Sequence, residues 1–138
     1  MEISGVLTGV LPLLGVALGA GLQFMLGKSL EIGRQLKLQK GQAYADYFRA
    51  VALAATKGKA AEANGLAADA KTRICIYGSP VVVKRLGEFE KLGAVIATEE
   101  SQLAISELLR AMRADLSGAA PQLDDEALRW ALFGQPRK

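Results

Sequence analysis

Residues 3–27 read ISGVLTGVLPLLGVALGAGLQFMLG, twenty-five positions without a charged side chain, bounded by Glu2 and Lys28. As a helix this stretch rises roughly 37 Å, against about 30 Å for the hydrocarbon core of a bilayer. Backbone groups in lipid must satisfy one another, and in a single segment that means helix. The stretch therefore predicts a transmembrane anchor over residues 1–27. Two other readings compete with it. One is a buried soluble helix, for which an uncharged run of this length is unusual in a 138-residue chain. The other is a cleaved signal peptide, suggested by the small residues around Ala17-Leu18-Gly19. The start Met-Glu-Ile-Ser lacks the basic region such a peptide carries, and the apolar run is too long for one.

The charges behind the run set its expected orientation. From Lys28 to Lys59 the chain has seven basic and two acidic residues, and from Ala60 onward ten basic and eleven acidic. The positive excess sits directly behind the apolar segment, which predicts a cytoplasmic C-terminal part at a bacterial inner membrane. Lys28, Arg34, Lys37 and Lys40 are the expected contacts to lipid headgroups. A nucleic-acid binder would spread its basic residues over a folded face with aromatics interleaved, so no nucleic-acid partner is expected.

The apolar run is rich in glycine. Gly5 and Gly9 are four apart, as are Gly15 and Gly19, and Ala17 and Gly21 repeat the spacing. Small residues four apart let helices in lipid approach closely. Gly5, Gly9, Gly15, Gly19 and Gly21 are therefore the candidate packing surface for a second copy or a partner membrane protein. Pro12 predicts a kink near mid-span. Gln23, near the cytoplasmic end, is read as a headgroup-level residue.

The remainder reads as all-α, a four- or five-helix antiparallel bundle. Residues 28–58 form a basic stalk helix in this reading, 59–134 the bundle and 135–138 a loose tail. In the stalk, Tyr44, Phe48, Val51 and Ala55 make an apolar stripe, and Lys57-Gly58-Lys59 marks a break. A second helix is expected from about Ala60 to Tyr77, carrying Ala63, Ala67, Ala70, Ile74 and Tyr77 on one side. A strand at Ile74–Tyr77 paired with Val81–Val83 is the alternative, and the long upstream stripe favours helix. Gly78 is expected to close that helix in the left-handed conformation, with Ser79 capping the next and Pro80 at its first position. Val82, Leu86 and Phe89 then point inward, up to a stop by Gly93. Thr98 caps a further helix with Ile105, Leu108, Leu109, Met112 and Leu116 on its core side, ending at Ser117-Gly118. Pro121 falls in a loop, Asp124 or Asp125 caps a last short helix, and Trp130 reads as a core plug.

Catalytic chemistry is thinly represented. The chain has no histidine, which removes the commonest general base and metal ligand. Its one cysteine, Cys75, rules out an internal disulfide and is expected to be buried between Ile74 and Ile76. Glu99-Glu100 and Asp124-Asp125-Glu126 sit at helix starts, where carboxylates offset the dipole. No cofactor, metal or small-molecule substrate is expected.

The segments Ala70–Pro80 (with Tyr77-Gly78-Ser79-Pro80), Tyr44–Val51 and Leu109–Leu116 (with Ala111-Met112-Arg113-Ala114-Asp115-Leu116) resemble a group of functionally uncharacterised bacterial proteins. Those carry one N-terminal span and a helical cytoplasmic part. The resemblance implies an inner-membrane protein and no catalytic residue. The chain departs from the group's pattern at Val81-Val82-Val83, where an acidic residue is usual soon after the proline. The expected function is a non-enzymatic, membrane-anchored accessory module, with a holin-like, membrane-permeabilising effector as the alternative.

Overall fold

A computed structural model describes the backbone of residues 3–118 and 122–134, and within these the side chains from Val16 onward except Ala17. Gly5, Gly9, Gly15, Pro121 and the tail 135–138 therefore lie outside the side-chain description. Every described element is a helix: α1 (Ile3–Ala54), α2 (Ala60–Tyr77), α3 (Pro80–Lys91), α4 (Glu99–Ser117) and α5 (Asp125–Phe133). Residues Ile74–Tyr77 are helical, so the strand alternative falls. Helix α1 is assigned through Pro12, Gly33 and Gly41 without interruption. Among the described residues, no helix is long and apolar enough to cross a membrane.

The chain divides into two compact units, Met1–Lys37 and Leu38–Lys138. In the second, the last part of α1 and helices α2 to α4 share one apolar core. It is built from Ala43, Tyr44, Tyr47 and Val51 of α1, Ala70 and Ile74 of α2, Val82, Leu86 and Phe89 of α3, and Ile105, Leu108 and Met112 of α4. Helix α3 packs most extensively on α4, and α2 also packs on α3. Burying each large apolar side chain of this set contributes about 1.5–3 kcal/mol before the entropy of ordering is charged against it. Helix α5 is fastened to α4 by Leu128, which is buried, and by an ion pair from Arg110 to Asp125.

Local chemistry explains where the helices begin and end. Ser79 accepts a hydrogen bond from the Val82 N–H at 3.4 Å, and Pro80 follows it in the first turn, where a missing N–H costs nothing. Thr98 and Ser101 form a reciprocal capping box at the start of α4. Asp124, not Asp125, caps α5 by accepting from the Ala127 N–H at 3.1 Å. Gly118 and Gly134 close α4 and α5 in the left-handed region.

Four details differ from the sequence reading, each for a geometric reason. The buried side of α1 is centred on Ala43, Tyr44, Tyr47, Ala50 and Val51, whereas Ala55 is exposed and Phe48 only partly covered. The expected stripe is thus rotated, because several helices, not one, pack around α1. Cys75 is exposed, and Ile76 is 64% exposed. Their neighbour Ile74 is buried, and successive residues of a helix point about 100° apart. Trp130 is 51% exposed, with Leu128 taking the core position on α5. Gly78 is extended (φ −72°, ψ 153°), not left-handed.

Glycine is needed at 78 for space. A β-carbon there would stand 2.6 Å from the Ile74 carbonyl oxygen and 3.3 Å from the Tyr44 hydroxyl. The same carbonyl accepts the Gly78 N–H at 2.7 Å, so relieving the clash would strain the end of α2. Gly78→Ala is expected to destabilise the second unit by about 1–3 kcal/mol, the usual range for overpacking. Thermal unfolding followed by circular dichroism checks this, and an unchanged midpoint would contradict it.

Candidate functional site

Two surfaces stand out, one in each unit. In the first unit, the described part of α1 presents large apolar side chains that nothing in the unit covers. Val16, Leu18, Leu22, Phe24, Met25 and Leu26 are all more than half exposed. Gly19, Gly21 and Gly27 have no heavy atom within 4 Å of where a β-carbon would stand. Two of the five expected packing glycines, Gly19 and Gly21, thus lie on open helix surface; the other three lie outside the side-chain description. Exposed apolar surface on this scale is unusual for a helix surrounded by water. Lys28, Arg34 and Lys37 are exposed on the same unit.

Lys40 belongs to the second unit and is placed differently from the other three. Its ammonium lies 3.1 Å from Asp115 Oδ1, with the two side chains 16% and 11% exposed. It is committed to a carboxylate on α4, so its charge is largely spent inside the protein.

Asp115 is the node of a polar cluster at the α2–α3 break. Its Oδ2 accepts the Ser79 N–H at 3.2 Å and the Tyr44 hydroxyl in a short hydrogen bond. Burial alone would raise the carboxyl pKa. The hydrogen bonds from Tyr44, Lys40 and the Ser79 N–H, with the Lys40 charge, together outweigh it and hold the group below its ordinary 3.8. The Tyr44 hydroxyl is pushed well above the usual phenol range, first by burial and then by Asp115. The three segments that carry the sequence resemblance therefore meet here: Tyr44, Ser79 and Asp115 come one from each.

A second cluster of the same composition lies farther along α1. The Tyr47 hydroxyl donates to Glu90 Oε1 at 2.7 Å, and Lys71 Nζ reaches Glu90 Oε2 at 3.3 Å. Burial, then Glu90, raises the Tyr47 pKa strongly. Between the tyrosines, Asp46 Oδ2 accepts from Arg73 Nη2 at 2.7 Å, and the same nitrogen lies 2.6 Å from Asp69. Asp46 and Asp69 keep the guanidinium pKa raised. Within four residues, Tyr44, Asp46 and Tyr47 of α1 thus engage α4, α2 and α3 in turn. Sequence reasoning assigns no role to any of these carboxylates, although Asp115 falls within the quoted piece Ala111–Leu116. It reads Tyr44 as an apolar-stripe residue, and the i, i+3 tyrosine pair is the signal that could have pointed to the clusters.

Beside Tyr44 an apolar groove of about 280 Å³ runs between α1 and α4, lined by Tyr44, Ala45, Phe48, Leu109, Met112, Arg113 and Leu116. Among the described residues, no group of three or more acidic, cysteine or histidine side chains could hold a metal ion. The chemistry on display is packing and ion pairing: Asp115 and Glu90 each already hold a tyrosine hydroxyl and a lysine ammonium. No protein-family model, curated protein or solved structure matches this chain.

Proposed function

We propose that this chain is a non-enzymatic, membrane-anchored accessory module of a bacterial inner membrane, with residues 1–27 as a single-pass anchor and the helical second unit offered to a partner in the cytoplasm. The observation that carries the reading is the apolar surface of α1 between Val16 and Leu26, exposed on successive positions around the helix. A helix apolar on all sides needs an apolar surround, and lipid supplies one. The uncharged sequence from Ile3 to Gly27 makes that surface long enough for a bilayer. Lys28, Arg34 and Lys37 then fall at the headgroups, worth about 1 kcal/mol each near an anionic surface, and favour a cytoplasmic second unit. Lys40 drops out of this set because Asp115 holds it.

The interaction role, as against catalysis, is supported by how the polar groups are spent. The clusters around Asp115 and Glu90 tie helices together, and their carboxylates are occupied by partners on the chain's own helices. Uncovered apolar surface remains on each unit, including the groove along Phe48 and Leu109 in the second.

Washing bacterial membranes that contain the full chain at alkaline pH tests the anchor. The protein is expected to stay in the pellet, and in spheroplasts the second unit is expected to resist added protease. Release into the wash would overturn the anchor, and digestion in intact spheroplasts would overturn the orientation.

A further inference from the structure

The exposed surface of the first unit is not uniform. Leu18, Leu22, Met25, Ser29, Ile32 and Leu36 succeed one another at spacings of four, three, four, three and four. All six are exposed, Leu36 least at 40%. That alternation keeps side chains on one seam of a helix over about five turns, and it is the repeat by which helices pair through knobs and holes. No charged residue falls on the seam, although Lys28, Glu31, Arg34 and Lys37 occur within the same span of chain. Continued upward in sequence, the repeat passes the exposed Gln39 and reaches Ala43, which is fully buried in the second unit. The repeat thus passes from positions already packed against helices of this chain to positions that are open.

We propose that this seam pairs with the same seam on a second copy of the chain, in parallel and in register. This rests on the anchored reading, because two chains inserted from one side of a bilayer run parallel. Charge fits that occupant. In a parallel pair the flanking Lys28 faces Gly33 of the other copy, and Gln35 faces Lys40, so no like charges are opposed. A partner seam identical to this one also aligns Ser29 with Ser29. A polar residue in a mostly apolar repeat favours the register in which it meets its own counterpart. Gly19 and Gly21 flank the seam on either side, Gly19 about 60° around the helix from Leu22, so pairing centred on the glycines would shift the strongest contact from Leu22 to Gly19.

The test is a scan of single cysteines in the full chain, in native membranes, on a Cys75→Ser background. Cys75 is exposed, and its removal prevents unrelated crosslinks. Leu22→Cys, Met25→Cys, Ser29→Cys, Ile32→Cys and Leu36→Cys are expected to give disulfide-linked dimers on mild oxidation. Phe24→Cys, Leu30→Cys and Arg34→Cys, on the opposite side, should give at least five-fold less. Equal crosslinking at all positions, a maximum at Gly19→Cys, or no dimer at any position overturns the seam. Failure of the anchor shows separately, as release of the protein by alkaline washing. A washed-out chain that still crosslinks with this period keeps a paired seam while rejecting the bilayer. A retained chain without the period does the reverse.

Discussion

Replacing Asp115 with alanine is expected to destabilise the second unit by about 3 kcal/mol, the lower end of what removing one member of a buried ion pair costs. The lower end applies because both Lys40 and Asp115 keep some contact with solvent. Three donors lose their acceptor at once: the Lys40 ammonium, the Tyr44 hydroxyl and the Ser79 N–H. The Ser79 N–H sits at the junction of α2 and α3, so the loss also loosens the angle between them. Asp115→Asn retains an oxygen that can accept from one donor, and its amide group repels the ammonium, so an intermediate loss is expected. Chemical denaturation of the full chain in mild detergent measures both. The order alanine, asparagine, wild type in rising stability is the expected result, and equal stabilities would contradict it.

Acid carries a related signature. The folded protein holds the Asp115 carboxyl below its ordinary value, so the unfolded chain binds that proton more readily. The cluster's contribution is therefore complete above the ordinary carboxylate value of 3.8 and is lost as pH falls through the lower folded value. Asp115→Asn should flatten that part of the acid limb while leaving the loss caused by other carboxylates in place.

How far the sequence announces this fold depends on the kind of signal. Breaks in the chain are legible because they rest on local chemistry. Lys57-Gly58-Lys59, Ser79-Pro80, Thr98 and Gly118 act within a turn or two of themselves, and each falls where the spacing puts it. So does the inward set Val82, Leu86 and Phe89, since a short helix packed on one side has a single apolar stripe. The stripe of α1 is not legible in the same way, because its last part makes side-chain contacts to α2, α3 and α4 at once. Tyr44 and Tyr47 also count as polar or apolar depending on what meets their hydroxyls. At Gly78 the sequence marks the right residue for a different mechanism. The reason for glycine is the Ile74 carbonyl and the Tyr44 hydroxyl, one of them 34 residues away in sequence. The Asp115 cluster is illegible for the same cause. Its members stand 71 to 75 and 36 positions from their carboxylate, and nothing local to Asp115 marks it.

Tyr47→Ala is expected to cost about 3–5 kcal/mol, the range for removing a large aromatic from a core. Tyr47 is fully buried, so the truncation leaves a void at the centre of α1's packed side and deletes the edge-on contact with Phe48, whose ring centre lies 6.3 Å away at 87°. It also takes from Glu90 the hydroxyl at 2.7 Å, leaving Lys71 at 3.3 Å as that carboxylate's remaining partner. Tyr47→Phe separates the two contributions: it keeps the ring and removes the hydroxyl, and about 1–2 kcal/mol should be lost through the unsatisfied carboxylate. Adding Glu90→Gln to Tyr47→Phe should then cost less than the sum of the two single changes, because the second change acts on a contact already gone. Strict additivity would mean that the hydroxyl and the carboxylate do not act together. If the ring alone accounted for the loss, Tyr47→Phe would be silent, and α1 would be held by shape rather than by its polar contacts. A loss in Tyr47→Phe instead makes the hydroxyl–carboxylate contact part of what fixes α1 against α3, as the Tyr44–Asp115 contact fixes it against α4.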